Sequence, residues 1–289
     1  MANLKEIRNR ITSVKSTRQI TSAMKMVSAA KLRRAQDAIV QLRPYAQKLQ
    51  EILGNVSASL DASEGIYSEQ RETNNILLVA VTSNRGLCGG FNANIIKAVK
   101  KYIAEEKNAN VSVLCVGKKG FDIFKKTPNI VASSSLKQQL NYLFDELTYD
   151  NVSKEAENIM SSFVNKEFDK VFIIYNQFKN AAVQEVVFEQ FLPIVANNNN
   201  QSSATDYIFE PNKAFIIEEL IPKSLKTQFF KALLDSHASE HGARMTAMHK
   251  ATDNATELIN ELTLSYNKAR QAAITGEILE IVAGAEALN

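Results

Sequence analysis

The sequence predicts an α/β fold in which two very long terminal helices flank a mainly parallel sheet domain. Three observations carry this prediction. Apolar residues recur every three or four positions from Leu4 to Leu53, a stretch with one proline and no glycine. The same rhythm returns from about Asn212 to Leu288. Between them lie four short apolar runs, several separated by helical stretches, which is the alternation of a parallel sheet. The expected divisions are residues 1–60, a first shaft helix; 61–211, an α/β domain; and 212–289, a second shaft helix.

In the first helix the stripe begins at Leu4, Ile7, Ile11 and Val14. It is expected to resume at Ile20, Met24, Val27 and Ala30, and then at Ala35, Ile39 and Leu42. Pro44 cannot donate to the carbonyl four residues back, so a kink is expected there. The pattern stops at Asp61–Gly65.

The runs Asn75–Val81, Val111–Gly117, Lys170–Asn176 and Glu185–Phe191 read as strands. Helical stretches over Asn92–Glu106, Lys119–Lys125 and Val152–Lys166 imply parallel crossovers. The last two strands follow each other too closely for a crossover and predict an antiparallel hairpin at one side of the sheet. Ala196–Asp206 reads as a polar loop, and no role is assigned to Asn197–Asn200.

The final helix has a kink or restart expected at Pro222. Its rhythm runs through Leu225, Phe229, Leu233, Ser236, Glu240, Ala243, Ala247 and Ala251, then Leu258, Leu262, Ser265, Ala269 and Ala272. A helix of ~65 residues is about 100 Å long at 1.5 Å per residue, more than a small domain can cover. The two stripes must therefore meet each other or other proteins. Ser28, Ala29, Ala30, Ala243, Ala247 and Ala251 stand where a strong coiled coil carries Leu and Ile, so the seam is slim. Near the end, Ile274, Ile278, Leu279, Ile281, Val282 and Leu288 spread over most of the circumference. A helix apolar nearly all round is a buried one, which implies an external apolar sleeve. Glu277, Glu280 and Glu286 exclude a hydrocarbon core as that sleeve.

The net charge of +3 conceals an asymmetry: the first 50 residues hold eleven Lys and Arg against Glu6 and Asp37. Nucleic acid, an anionic membrane, an acidic protein surface or water alone could answer that field. No run reaches the ~18 apolar residues of a membrane-spanning helix. The N-terminus enters a charged helical pattern directly, and the chain reads as a cytoplasmic, prokaryotic protein. Cys88 and Cys115 fall in predicted sheet regions and read as buried thiols.

Several stretches imitate catalytic motifs. Gly86, Gly89 and Gly90, in TSNRGLCGGFNANI, sit where a strand hands over to a helix, the position of many phosphate loops. Their spacing matches neither the dinucleotide fingerprint nor the P-loop, and the glycines read as a structural turn supplying positive φ. His237–His241 spells H-x-x-E-H, an inverted zinc-peptidase signature. A catalytic zinc needs a third protein ligand and a cleft, which a mid-rod helix does not offer, so these histidines read as solvated. Ser236 and His237 are sequence neighbours on a helix and do not face each other, which excludes a nucleophile triad. No catalytic residue, cofactor or metal ligand emerges.

Four separated stretches carry a family resemblance: IRNRITSVKSTRQITSAMKMVSAAKLRRAQ, TSNRGLCGGFNANI, SEHGARMTAMHKATDNA and ITGEILEIVAGAEA. The last matches the family's C-terminal signature at Ile274, Thr275, Glu277, Glu280, Gly284, Ala285 and Ala287. Over nearly its whole length the chain resembles the γ subunits of F-type ATP synthases, the central rotor shafts. The resemblance implies an antiparallel coiled coil inside an α3β3 hexamer, with a Rossmann-like sheet domain against the ε subunit and the membrane c-ring. It implies a non-catalytic rotor, peripheral on the cytoplasmic side of the bacterial plasma membrane and bound to it only through partners. By motif match, Arg244, Arg270, Gln271, Thr275 and Glu277 would contact the β catch loops. Met24, Lys25, Lys31, Arg33 and Arg34 would meet acidic β loops. Ile278, Leu279, Ile281, Val282 and Leu288 would run in the hydrophobic bearing. The chloroplast-type cysteine insert is not seen, so thiol regulation is not expected. Two rivals remain open on the residues. One is a basic coiled-coil adaptor on nucleic acid, which the lack of stacking aromatics near the basic stretch, apart from Tyr45, opposes. The other is a nucleotide-binding α/β protein using Gly86–Gly90.

Overall fold

In the computed structural model, which describes residues 4–57, 66–194 and 213–286, nine α-helices and β-strands follow in chain order, with one 3-10 turn at Asn141–Phe144 between the third and fourth helices. They are α1 (Leu4–Ser57), β1 (Asn75–Val81), α2 (Phe91–Glu105), β2 (Asn110–Val116), α3 (Lys118–Phe124), α4 (Tyr149–Val164), β3 (Lys170–Phe178), β4 (Gln184–Leu192) and α5 (Lys213–Glu286). The loop expected at 196–206 and the break at 61–65 lie outside the described residues. So does Leu288.

The chain divides into two compact units, one of Ala29–Arg244 and one of Met1–Ser28 with Met245–Asn289. In the larger unit the sheet order is β2-β1-β3-β4. β1 pairs in parallel with both β2 and β3, and β4 closes one side antiparallel to β3, as the short β3–β4 connection predicts. The central strand reads ILLVAV because both of its faces are covered. Successive residues alternate between the two faces. Leu77, Val79 and Val81 share a core with α4 residues such as Ala156, Ile159 and Phe163, and with Leu225, Phe229 and Leu233 of α5. Ile76, Leu78 and Ala80 face the other way, onto Ile95 and Val99 of α2. The lower part of α5 is thus a layer of the α/β domain. Packing of this kind holds α5 helical through Pro222, between Ile221 and Leu225, and α1 is likewise continuous through Pro44, between the buried Ile39 and Leu49. Neither helix is interrupted at its proline, so α5 does not restart at Pro222.

In the smaller unit, residues 4–28 of α1 run antiparallel to α5. Arg8 Nη2 donates to Tyr266 Oη at 2.7 Å, and Thr21 Oγ1 shares a hydrogen bond with Thr252 Oγ1 at 2.9 Å. The covered positions of α1 are Ile7, Thr21 and Ser28, with Leu4, Ile11, Val14, Arg18, Ser22, Met24 and Lys25 partly covered. The fully buried residues are spaced by multiples of seven, the 3.5-residue repeat of a left-handed coil. It corrects the expected stripe. The register leads from Val14 to Thr21 and Ser28, leaving Ile20 and Val27 60% and 58% exposed. On α5 the buried positions are Met248, Ala255 and Ile259, one residue off the expected Ala247 and Leu258. Hydroxyl groups occupy the seam, and the Thr21–Thr252 bond satisfies two of them.

Gly117 has φ +100°, and a Cβ there would lie 2.1 Å from the carbonyl oxygen of Thr82. Only glycine fits, because the residue that follows β2 lies directly against the backbone of the residue that follows the paired end of β1. Replacing Gly117 with Ala should destabilise the α/β domain by about 3 kcal/mol or more, read as a lowered urea midpoint.

Candidate functional site

The loop after β1 is built by side chains that replace a strand partner. Ser83 N donates to Asn92 Oδ1 at 2.9 Å, and Asn92 Nδ2 donates to Ser83 Oγ at 2.8 Å and towards Cys88 Sγ at 3.2 Å. Asn84 Nδ2 donates to Asn141 O, and Lys118 N donates to Asn84 Oδ1. Within the loop, positive φ falls on Gly89 (+56°) and on the non-glycine Leu87 (+62°); Gly90 has φ −78°. Cys88 lies in this loop rather than in the sheet. Burial pushes its thiol up, and pushes the thiol of Cys115 in β2 up to about 12. Neither is a thiolate at neutral pH.

What the loop holds is an arginine. Arg244, in α5, is 6% exposed. Its Nη2 donates to Arg85 O at 2.9 Å and to Gly86 O at 3.3 Å, and its Nε donates to Gly86 O at 3.3 Å. Nη1 pairs with Glu240 Oε1 at 2.7 Å, one helical turn back. Carbonyl oxygens aimed at a guanidinium make the electrostatic opposite of a phosphate cradle, which presents N–H groups to an anion. Within this chain the Arg244 side chain is buried and all three of its nitrogens are engaged.

His237 and His241 are covered as well, contrary to the solvated reading, because this part of α5 packs on the domain rather than projecting from it. Arg244 Nη1 lies 3.3 Å from His241 Nδ1, and His241 Nε2 lies 3.2 Å from His237 Nε2. Arginine can only donate, so His241 accepts on Nδ1, carries its proton on Nε2 and donates to His237. This relay requires both rings neutral. Burial and the nearby cations Lys31 and Arg244 lower His237 to about 4, and burial, His237, Arg244 and Lys31 lower His241 to about 3. The ring of Phe144 stacks on His237. Among the described residues no group of three His, Cys, Asp or Glu could hold a metal ion, and Glu240 is committed to Arg244. Ser236 Oγ has no hydrogen-bond partner.

The remaining expected contacts lie on the surface. Arg270, Gln271, Thr275 and Glu277 are exposed on consecutive turns of α5, with Thr275 Oγ1 donating to Gln271 O. Ile278, Leu279, Ile281 and Val282 are exposed just beyond them, and Ile274 with them. Lys31, Arg33 and Arg34 are exposed, while Met24 and Lys25 are half-buried. No described helix is long and apolar enough to cross a membrane.

The sequence matches the family model described as ATP synthase over residues 3–288. The chain belongs to the ATP synthase family. It is 61% identical to the ATP synthase gamma chain of Flavobacterium johnsoniae and 48% identical to that of Geobacter metallireducens, over the full length of both chains in each case. Two solved ATP synthase structures share its fold. A chain of the Tetrahymena thermophila mitochondrial central stalk and c-ring is 26% identical, with a TM-score of 0.60 over 80% of this chain and 99% of that one. A chain of the Euglena gracilis mitochondrial enzyme is 23% identical, with a TM-score of 0.72 over 99% and 94%. Sequence reasoning missed the roles of Glu240, His241 and Asn92 in this family member. The signal was available in part, since Glu240 and Arg244 have the four-residue spacing of a helical ion pair.

Removing the arginine strands a buried carboxylate. Arg244→Ala should cost about 3–5 kcal/mol, and Arg244→Ala with Glu240→Gln clearly less, in urea unfolding at pH 7. The histidines set an acid limb. Their folded pKa values lie below the unfolded value of 6.5, so their contribution is complete above pH 6.5 and is lost as pH falls towards 4. Asp235, raised to about 6 by burial, opposes this by taking up its proton first in the folded chain. Glu240, whose carboxyl burial also pushes up, acts in the same sense as Asp235. Removing one imidazole removes its share of the loss, so His241→Gln should lose less stability than the unaltered chain between pH 6.5 and 4, measured from urea midpoints across the range.

Proposed function

We propose that the chain is the central rotor stalk subunit of a bacterial F-type ATP synthase, coupling ion-driven rotation of a c-ring to the conformational cycle of the catalytic β subunits. The uncovered end of α5 carries this reading. Ile274, Ile278, Leu279, Ile281 and Val282 are about half or more exposed, Ile281 71%, on a helix that also bears exposed glutamates. Contiguous apolar surface of this kind needs a protein sleeve, and the collar of an α3β3 hexamer would supply one. Family membership and the gamma-chain relatives support the same assignment.

The chain itself makes and breaks no bond in this scheme. A two-helix shaft lacks threefold symmetry, so each of three equivalent β subunits would meet a different face. Differential contact energy with each face biases the sites towards different nucleotide affinities, and turning the shaft exchanges them. Arg270, Gln271, Thr275 and Glu277 would form polar contacts with β catch loops just below the apolar end. Met24, Lys25, Lys31, Arg33 and Arg34 would meet acidic β loops. The α/β domain would contact the ε subunit and the c-ring, on the cytoplasmic side of the membrane, with membrane attachment only through those partners.

Removing residues 278–289 should weaken assembly with the hexamer, or the torque delivered to it, while leaving the unfolding midpoint of the α/β domain unchanged. Co-purification and ATP-driven proton pumping read the first, and urea unfolding the second. Equal loss of both would refute the sleeve.

A further inference from the structure

Gly242 is a buried glycine in the middle of α5, where glycine costs about 1 kcal/mol relative to alanine. No positive φ requires it there. Its reason is a close approach. A Cβ at 242 would lie 3.3 Å from Ala181 Cα, 3.4 Å from Ala181 O and 3.4 Å from the ring of Phe178. Ala181 sits in the turn between β3 and β4, so the end of that hairpin enters the notch where α5 has no side chain.

The turn is stiffened from within. Asn180 Oδ1 accepts from Ala182 N at 2.9 Å and from Val183 N at 2.8 Å, while Asn180 N donates to Val183 O at 3.2 Å. Gln184 Nε2 closes it by donating to Ala181 O at 3.1 Å. One turn of helix before Gly242, Ser239 Oγ donates to Asn176 O in β3 at 2.9 Å. Two residues after it, Arg244 is held by the β1–α2 loop. Three successive parts of the domain therefore grip α5 within Ser239–Arg244.

We propose that Gly242 and the β3–β4 turn form a torsional key, which stops the α/β domain from turning or sliding on α5 and so passes torque into the helix. A smooth apolar contact resists rotation about a helix axis weakly; a rigid loop seated in a notch resists it by hard-core repulsion on both sides. Above the key, torque travels along the covalently continuous helix. Gly242 and Ala181 are positioning residues in this scheme. The proposal rests on the rotor reading.

The test uses the assembled membrane complex. Gly242→Val should drive the turn out of its notch. ATP hydrolysis and co-purification should persist while protons pumped per ATP hydrolysed fall several-fold. Where that variant fails to assemble, Gly242→Ala and Asn180→Ala take its place in the same comparison. The converse is Ala181→Cys with Gly242→Cys, whose oxidised disulfide welds the contact. Reduced, the side chain at 242 should lower pumping as Gly242→Ala does, and oxidation should restore it, because the weld takes over the role of the notch. Unchanged coupling in the Gly242 and Asn180 variants would overturn the key, as would loss of pumping on oxidation. Failure of the rotor reading would look different: the unaltered chain would not co-purify with ATP-hydrolysing subunits.

Discussion

The buried guanidinium of Arg244 is the constraint on which the organisation of the domain depends. It ties together a helix and a loop that share no backbone hydrogen-bond ladder, and it does so with donors spread over two carbonyls and a carboxylate. Burying that charge fixes much around it. Glu240 must lie one turn away to balance it, and His241 must be neutral to accept from it. Arg85 and Gly86 must turn their carbonyls inward, which in turn demands the Ser83–Asn92 scaffold behind them. A run of glycines beside a strand end resembles a ligand site because both uses need backbone groups at close range. Here the ligand is the chain's own side chain.

Much of the fold was legible in the amino-acid pattern. The four strands, the parallel order around NILLVAV and the closing hairpin follow from run length and the spacing between runs. The two long helices follow from sustained periodicity and the scarcity of glycine. Register within the coil was not legible between Val14 and Ser28, since the buried residues there are Thr21 and Ser28 while Ile20 and Val27 face outward. Hydrophobicity names the seam only where the seam is hydrophobic; strict heptad counting from Ile7 would have found it. The environment of α5 between Asp235 and Arg244 was also hidden. Its polar residues look solvated in a linear reading, and only the three-dimensional approach of the β1–α2 loop and the β3–β4 turn covers them.

The division of the chain follows the same logic. Leu225, Phe229 and Leu233 are core residues of the α/β domain, so α5 begins as a structural layer. From Met245 onward it pairs with α1 through a seam in which Thr21, Ser28, Thr252 and Ala255 sit among Ile7, Met248 and Ile259. A seam of this kind buries little apolar surface per turn and leaves the outward faces free to carry differing chemistry. One helix thus serves two purposes through a change in what covers it, with Gly242 and Arg244 at the end of the covered part.

The uncovered end of α5 has a consequence for how such a chain is kept in a cell. Copies made in excess of their partners present isoleucine and leucine to water with nothing to shield them, and each such copy is a substrate for proteases and for self-association. Partner binding removes that hazard by mass action. The same surface that would turn inside a collar therefore penalises unequal synthesis, and matched expression of the subunits becomes a requirement of physical chemistry as well as of stoichiometry.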